Sequence, residues 1–236
     1  MIDFSLSEEQ RGFLNLAREF SSNEIRPVAL QYDRDATYPE SILKKARELG
    51  LMYTNIPSAY GGSGMDYVTH YLVTEALNYE CCAIGQMIGI SHLSTGAILL
   101  GGTEKQKKKF LGRMTESYRS ACFCLTEPGA GSDAGGMNTL AEKKGDQYVL
   151  NGSKCYITNG QHADLLCVFA TMDKTRGTKG ISCFAVPRDT PGIRTGRVED
   201  KMGHRAMVVA ELFFEDVELT KENLIGEEGQ GFKLAM

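Results

Sequence analysis

The sequence predicts an α+β multidomain protein, with an all-helical N-terminal domain followed by an antiparallel, barrel-like β domain. Apolar residues recur with helical spacing through the first half of the chain, and this periodicity ends near Ser120. After that point, short alternating runs are separated by Gly- and Pro-containing connections, as in small barrels and sandwiches. We therefore expect a helical domain over residues 1–118, a β domain over 119–226, and the start of a further, truncated helical domain over 227–236.

The first helix is predicted from a capping box, Ser7-Glu8-Glu9-Gln10. One apolar face then follows at helical spacing, formed by Phe13, Leu16, Ala17 and Phe20. Pro27 is expected to kink or divide the chain that follows. Further helices are predicted from Pro39 to a C-terminal cap at Gly50, from about 66 to 80, from 83 to 102, and after the box Thr103-Glu104-Lys105-Gln106.

The predicted helix from Ala83 to Gly102 carries no Asp, Glu, Lys or Arg. A membrane span is one interpretation of such a segment. Several glycines and polar residues interrupt it, including His92, so a helix buried in the centre of a bundle is favoured. No membrane span is expected.

The β half contains two turn signals close together. Residues 139–144 and 147–150 flank Gly145-Asp146, and Asn151-Gly152 is the strongest short hairpin signal in the chain. Further strands are expected over 165–170, 181–186, 193–197 and 208–214. The last nine residues resemble the first turn of another helix without a terminating cap, which predicts a longer natural polypeptide.

Composition excludes several classes of function. The 236 residues are 42% hydrophobic and 24% charged with a net charge of −4, which is typical of a globular protein and gives no electrostatic reason to expect nucleic acid binding. The seven cysteines show neither C-x-x-C nor Cys/His spacing, so we expect reduced thiols and no zinc site. The four histidines show no ligand spacing, and no metal is predicted.

The stretch from Cys122 to Asp133 is the main candidate for a site. It begins as a short apolar, strand-like run, breaks at Glu127-Pro128, and becomes a glycine-rich loop with hydroxyl and carboxylate side chains. Glycines let the backbone approach a ligand closely, and hydroxyl groups can reorient as donors. A second segment of similar character, Lys154 to Gly160, follows on a predicted strand. By itself the first segment could hold a phosphate or an oxyanion, or form an ordinary turn.

Together the two segments resemble the signature motifs of the acyl-CoA dehydrogenase family. The motifs are LTEPGAGSD at 125–133 and YITNG at 156–160, and agreement extends to PSAYGG at 57–62 and FEDV at 214–217. The resemblance covers essentially the whole chain. It implies a helical domain, a β domain and a C-terminal four-helix domain that is expected to be missing here, with FAD held between the last two.

The resemblance also implies roles for individual residues. The cofactor-binding residues would be Phe123, Cys124, Leu125, Thr126, Gly131, Ser132, Tyr156, Ile157 and Thr158, and the substrate-binding residues would be Ser132 and Thr178. Thr126 would contact the pyrimidine side of the flavin, and Thr158 would lie near N5. Tyr156 stands where the family usually has Trp, and a phenol ring can still stack on the flavin. Glu127 and Asp133 are expected to orient the loop. No catalytic residue is assigned, since the family's catalytic glutamate lies in the missing domain.

The activity implied is FAD-dependent α,β-dehydrogenation of acyl-CoA thioesters to enoyl-CoA, with electrons passing to an electron-transferring flavoprotein. A homo-oligomer, tetrameric at full length, is expected in the cytoplasm of a prokaryote or in the mitochondrial matrix. Two alternatives stay open: a non-catalytic flavin- or acyl-CoA-binding fragment, which could be part of a split complex, and an acyl-CoA oxidase or flavin monooxygenase of the same fold.

Overall fold

The computed structural model describes residues 5–236 as two compact units, and each is described by itself. The first unit holds the described residues up to Gly89 together with Lys201–Met207. The second holds Ile90–Asp200 and Val208–Met236, so it includes the last helices before the sheet. The domain boundaries expected at residues 118 and 226 stay predictions.

The first unit is helical. Its α-helices are α1 Glu8–Phe20, α2 Ala29–Asp35, α3 Glu40–Glu48, α4 Tyr67–Glu80 and α5 Cys82–Gly89. The capping box of α1 is confirmed: Ser7 Oγ accepts the Gln10 N–H at 3.1 Å, and Gln10 Oε1 accepts the Ser7 N–H at 3.0 Å. A π-helical turn over Ser21–Ile25 and a break before α2 occupy the place where Pro27 predicted a kink. Local capping and proline signals therefore describe this unit well.

Arg205 belongs to the first unit and contacts α2. Its N–H donates to Asp33 Oδ1 at 2.9 Å, and its Nε donates to the Asp33 carbonyl oxygen at 3.0 Å. These bonds hold the segment Lys201–Met207 against the end of α2, which gives Arg205 a structural role.

The uncharged segment is two helices rather than one. α5 ends at Gly89 and α6 spans His92–Gly101, so the expectation of a continuous helix was wrong. The Ser91 hydroxyl, between them, accepts the N–H of Ala121 at 3.1 Å. Within residues 5–236, Cys82–Gly101 is the one segment whose length and apolar composition match a membrane span, and 56% of its most apolar part is buried inside the protein. Such burial is typical of core helices.

The second unit contains α6, α7 (Glu104–Thr115), α8 (Gly231–Ala235) and one eight-stranded sheet. Its strands are β1 Ala121–Cys124, β2 Leu140–Lys144, β3 Gln147–Thr158, β4 Leu165–Thr171, β5 Ile181–Pro187, β6 Ile193–Val198, β7 Val209–Thr220 and β8 Leu224–Ile225. The order is β6-β7-β3-β2-β4-β5-β8, and β1 pairs with β4. The capping box predicted for α7 is confirmed at Thr103 and Gln106.

The sheet is mixed and open, which corrects the expected antiparallel barrel. One edge of β4 pairs in parallel with β1, from Ala121 beside Leu165 onwards, and then with β2 at Leu140 beside Thr171. All other neighbouring strands are antiparallel. Parallel neighbours come from segments distant in sequence, so turn signals between consecutive strands do not reveal them.

One of the two turn signals was misleading. Gly145-Asp146 does form the turn between β2 and β3, as predicted. Asn151-Gly152 instead lies inside the long strand β3, where the register with β7 shifts between Leu150 and Gly152. Gly152 has φ +150°, and a β-carbon there would lie 2.6 Å from Thr139 Oγ1. The glycine therefore serves a close approach between β3 and the segment before β2.

Apolar side chains from β1 to β5 and from β7 form a core on one face of the sheet. α6 and α8 pack together and against β4 and β5. A β-carbon at Gly101 would lie 2.8 Å from Leu234, and one at Gly231 would lie 2.4 Å from the Ser182 backbone. α6 also packs against β1, so the loop that follows β1 leaves a strand that is packed by a helix and paired with β4.

Candidate functional site

The structure brings the two predicted segments together. The N–H of Cys155 donates to the carbonyl oxygen of Thr126 at 3.0 Å, and Lys154 Nζ donates to the carbonyl oxygen of Leu125 at 3.0 Å. Two consecutive positions just after β1, Leu125 and Thr126, are thus tied to the middle of β3. The two segments, whose bonded residues are 29 positions apart in sequence, therefore lie side by side in the second unit.

The loop after β1 begins with a tight turn. Glu127 and Ala130 exchange two backbone hydrogen bonds, each of 3.1 Å, and this pairing leaves Pro128 and Gly129 exposed. Neither Gly129 nor Gly131 has a positive φ, and a β-carbon at either position would meet no protein atom within 4 Å. Nothing within the described chain requires glycine at these positions. Close approach of a ligand to the backbone is a reason that remains.

A β-bulge shapes the second segment. Lys154 pairs with Leu212 and Ile157 with Ala210, so three steps along β3 match two along β7. Tyr156 lies in the bulge with φ +54°, and 63% of its surface is exposed. A bulky residue in the left-handed region is unusual, and such strain clusters at functional sites. The bulge aims an aromatic ring outward from the same strand that holds the loop.

The predicted cofactor-binding residues divide into two groups. Cys124 and Ile157 are buried in the sheet core, so their side chains face away from any ligand and only their backbone groups can contribute. Phe123 and Leu125 are half-buried, and the Phe123 ring packs against Phe169 with centroids 4.8 Å apart. Their side chains line the base of the site rather than its polar part.

The other group carries hydroxyl side chains. Thr126 and Thr158 are half-buried and Ser132 is exposed. Within residues 5–236, no protein hydrogen bond engages these three hydroxyl groups. They are therefore available as donors or acceptors toward a bound molecule.

Thr178 lies close to the loop that contains Ser132. It belongs to the 3-10 segment Lys174–Gly180, and a β-carbon at Gly135 would stand 3.0 Å from its methyl group. Asp133 caps this part of the loop, since its carbonyl oxygen accepts the Gly136 N–H at 3.1 Å. The two residues expected to bind substrate, Ser132 and Thr178, thus lie on adjoining segments.

A buried ion pair beneath the loop was missed by the sequence analysis. Lys154 Nζ lies 2.8 Å from Glu127 Oε1, and their side chains are 0% and 3% exposed. The Glu127 carboxylate also accepts the N–H groups of Asn138 at 2.5 Å and Thr139 at 2.9 Å. Glu127 therefore closes the loop by joining its first and last residues, which agrees with the expectation that it orients the loop.

The pair affects both ionisable groups. Burial opposes ionisation of Glu127, yet the Lys154 charge and the donated hydrogen bonds outweigh it and lower the pKa of the carboxyl group. Burial lowers the pKa of the Lys154 ammonium, and Glu127 counteracts this effect. The lowered pKa of its carboxyl group makes Glu127 unsuited to act as a base.

Comparisons with known proteins identify the family of this chain. Residues 7–117 match the family model described as acyl-CoA dehydrogenase, N-terminal domain, and residues 122–217 match acyl-CoA dehydrogenase, middle domain. The mitochondrial short-chain specific acyl-CoA dehydrogenase of Rattus norvegicus is 41% identical over 98% of this chain and 56% of its own length.

Solved structures show the same relationship. The structure described as the electron transferring flavoprotein of Acidaminococcus fermentans has a TM-score of 0.94 and 41% identity, over 99% of this chain and 62% of the other. A glutaryl-CoA dehydrogenase from Mycobacterium smegmatis in complex with FADH2 has a TM-score of 0.86 and 30% identity, over 98% and 58%. This chain therefore spans little more than half the length of the relatives it matches, and it belongs to the acyl-CoA dehydrogenase family.

Proposed function

We propose that this chain forms the flavin-binding part of an FAD-dependent dehydrogenase that converts acyl-CoA thioesters to enoyl-CoA. The observation that carries the proposal is the joining of the loop after β1 to the bulge of β3 through Thr126 and Cys155. That contact joins two segments that together carry three free hydroxyls, an exposed aromatic ring and two uncrowded glycines. Family membership supplies the reaction class.

The residues present fit FAD. The Tyr156 ring offers a face for stacking on a flavin, and Gly129 and Gly131 leave room for a ligand beside the backbone. Thr126 and Thr158 supply unengaged hydroxyls at the two joined segments. We propose that Phe123, Leu125, Thr126, Gly131, Ser132, Tyr156 and Thr158 hold the cofactor, with Cys124 and Ile157 contributing backbone groups.

When bound, FAD accepts a hydride and develops negative charge on its ring. Thr126, just after β1, and Thr158, at the end of β3, would donate hydrogen bonds to the bound ring and stabilise that charge. Ser132 and Thr178, on adjoining segments, position the thioester substrate. Abstraction of the α-proton is proposed to rest with a group outside this chain.

The relatives refine the proposal. The rat relative is short-chain specific and mitochondrial, so we propose a short acyl-CoA substrate. An electron-transferring flavoprotein is proposed as the acceptor, in line with the resemblance to the Acidaminococcus fermentans structure. A homotetramer of the full-length protein, a role in fatty acid β-oxidation, and location in a bacterial cytoplasm or the mitochondrial matrix belong to the same proposal.

The test joins this chain to the unmatched part of the rat relative and adds acyl-CoA without oxygen. Loss of the visible flavin absorbance on addition of butyryl-CoA is the expected result. A chimera that binds FAD but is never reduced by any acyl-CoA would contradict the proposal. Thr126→Val is expected to weaken FAD binding by about tenfold or more, because a charge-stabilising donor is lost.

The 236-residue chain by itself should bind FAD weakly, because part of the cofactor's surroundings is proposed to lie outside it. Equilibrium dialysis that found tight, stoichiometric FAD on the monomeric chain would favour the alternative of a self-sufficient flavin-binding module. Thr220→Val is the matched control for Thr126→Val. Thr220 lies at the far end of β7, where its hydroxyl donates to Asn223 Oδ1, so its loss should leave FAD binding unchanged.

A further inference from the structure

We propose that the buried pair Glu127–Lys154 positions the loop after β1, residues 128–136, and fixes Thr126 and Tyr156 relative to each other. We call this ion pair the clamp. Neither residue is proposed to touch the cofactor or the substrate. The inference rests on the proposed flavin-binding function for its consequence, but the clamp itself concerns only contacts within this chain.

The pair joins three elements of the second unit. Lys154 Nζ contacts the Leu125 carbonyl oxygen at 3.0 Å and Glu127 Oε1 at 2.8 Å, at the start of the loop. Glu127 then reaches Asn138 and Thr139 at its end. Two side chains thus connect the end of β1, the last residues before β2 and the middle of β3.

The loop between these anchored ends has little regular structure of its own. The residues from Pro128 to Gly136 form no regular hydrogen-bonded ladder beyond the Glu127–Ala130 turn and one short 3-10 turn, and most of them are exposed. Their shape therefore depends on the anchored ends. A loop held at both ends by buried, charge-assisted bonds keeps its free hydroxyl groups in place before a ligand arrives.

Lys154 and Cys155 also connect the loop directly to the strand segment that carries the Tyr156 ring. Lys154 is two residues before Tyr156, and Cys155 between them donates to the Thr126 carbonyl oxygen at 3.0 Å. The bulge and the loop therefore cannot move independently while the pair is intact. Because both ends of the pair are removed from water, breaking one partner strands the other charge, and the neighbouring backbone must move to solvate it.

The experiment compares Glu127→Gln and Lys154→Met with Val186→Ala in the full 236-residue chain. Val186 is fully buried in the same sheet core and pairs with Leu166 of β4, so it controls for general loss of stability. Native-state hydrogen exchange is measured on the amides of Asn138, Thr139 and Cys155. We expect exchange about tenfold faster or more in Glu127→Gln, relative to Val186→Ala at matched global stability.

The second readout is FAD affinity by flavin fluorescence. A weakening of about tenfold in Glu127→Gln and Lys154→Met, absent in Val186→Ala, supports the clamp, and partial retention in Lys154→Arg is the expected rescue. Equal exchange rates and equal affinities across the three variants would overturn it. If the chimera with the unmatched part of the rat relative binds no FAD, the proposed function fails, while the exchange measurement on the 236-residue chain still decides whether the clamp exists.

Discussion

Gly152 lies so close to Thr139 that a β-carbon at residue 152 would stand 2.6 Å from Thr139 Oγ1 and 2.7 Å from its Cα. Glycine is required there both by this contact and by φ +150°. We expect Gly152→Ala to lower the free energy of unfolding by about 3 kcal/mol, because Thr139 and its backbone must shift.

The matched control is Gly145→Ala at the turn between β2 and β3. Gly145 has φ +63° but no neighbour within 4 Å, so only left-handed strain of about 1 kcal/mol is expected. Urea denaturation followed by tyrosine fluorescence measures both, since the chain contains 0 Trp. Equal losses in the two variants would refute the steric argument.

Tyr156 is expected to contribute to FAD binding rather than to the stability of the fold. Tyr156→Gly relieves the strain at φ +54° and removes a ring that is 63% exposed, so the free energy of unfolding should stay unchanged or rise by up to about 1 kcal/mol. FAD affinity should fall by about tenfold, because the stacking surface is lost.

Ala36→Gly is the control for this prediction, since Ala36 has φ +51° at the end of α2. It should raise stability similarly and leave FAD affinity unchanged. A Tyr156→Gly variant that unfolds more easily, or that binds FAD as before, would contradict the proposed role.

The phenol of Tyr148 should ionise at a higher pH than an ordinary tyrosine. Burial, together with its 2.8 Å hydrogen bond to Glu228 Oε1, raises the pKa of Tyr148 from 10.0 to about 12. The raised pKa favours the neutral folded form, so this stability is fully present below pH 10.0 and is lost as pH rises toward about 12.

Ultraviolet titration of tyrosinate absorbance should show a component near 12 that disappears in Tyr148→Phe. The same substitution should cost about 1 kcal/mol at neutral pH, since a hydrogen bond to a carboxylate is lost. A titration curve identical in the two proteins would exclude the assignment.

Glu127 should make the stability of the second unit sensitive to acid. Its carboxyl pKa is lowered from 4.5, so the stability it contributes is present above that value and is lost as pH falls through the lower folded-state pKa. Between neutral pH and acid, the stability of the unaltered chain should therefore fall more steeply than that of Glu127→Gln.

The control is Glu142→Gln, which removes an exposed carboxylate lying 3.5 Å from Lys144. Urea midpoints measured across the acid range should keep their steep fall in this variant. Parallel curves for the unaltered chain and Glu127→Gln would show that the buried carboxylate is not the acid-sensitive group.

Local features of this fold could be read from the sequence. The capping boxes at Ser7 and Thr103 and the turn at Gly145-Asp146 depend on neighbouring residues, and all three are confirmed. The two signature segments were also recognised as parts of one family. Their roles toward cofactor and substrate stay predictions.

Features that depend on distant residues could not be read in this way. Asn151-Gly152 imitates a hairpin turn, but its glycine is required by Thr139, which lies on another segment. Lys154 looks like an ordinary charged strand residue, and only the folded sheet places Glu127 against it. A lysine inside a strand between two motifs, with an acid in the first motif, is the only hint that the sequence offers.

The parallel pairing of β1 with β4 has a consequence for the order of folding. Ala121 lies beside Leu165, and no tight turn can join two parallel strands, so β1 gains its partner only after the chain through β4 has been made. A nascent chain that ends at residue 160 would contain both signature segments and still lack the strand against which β1 is held. Under the proposed function, flavin binding would therefore require that β4 has already joined the sheet beside β1.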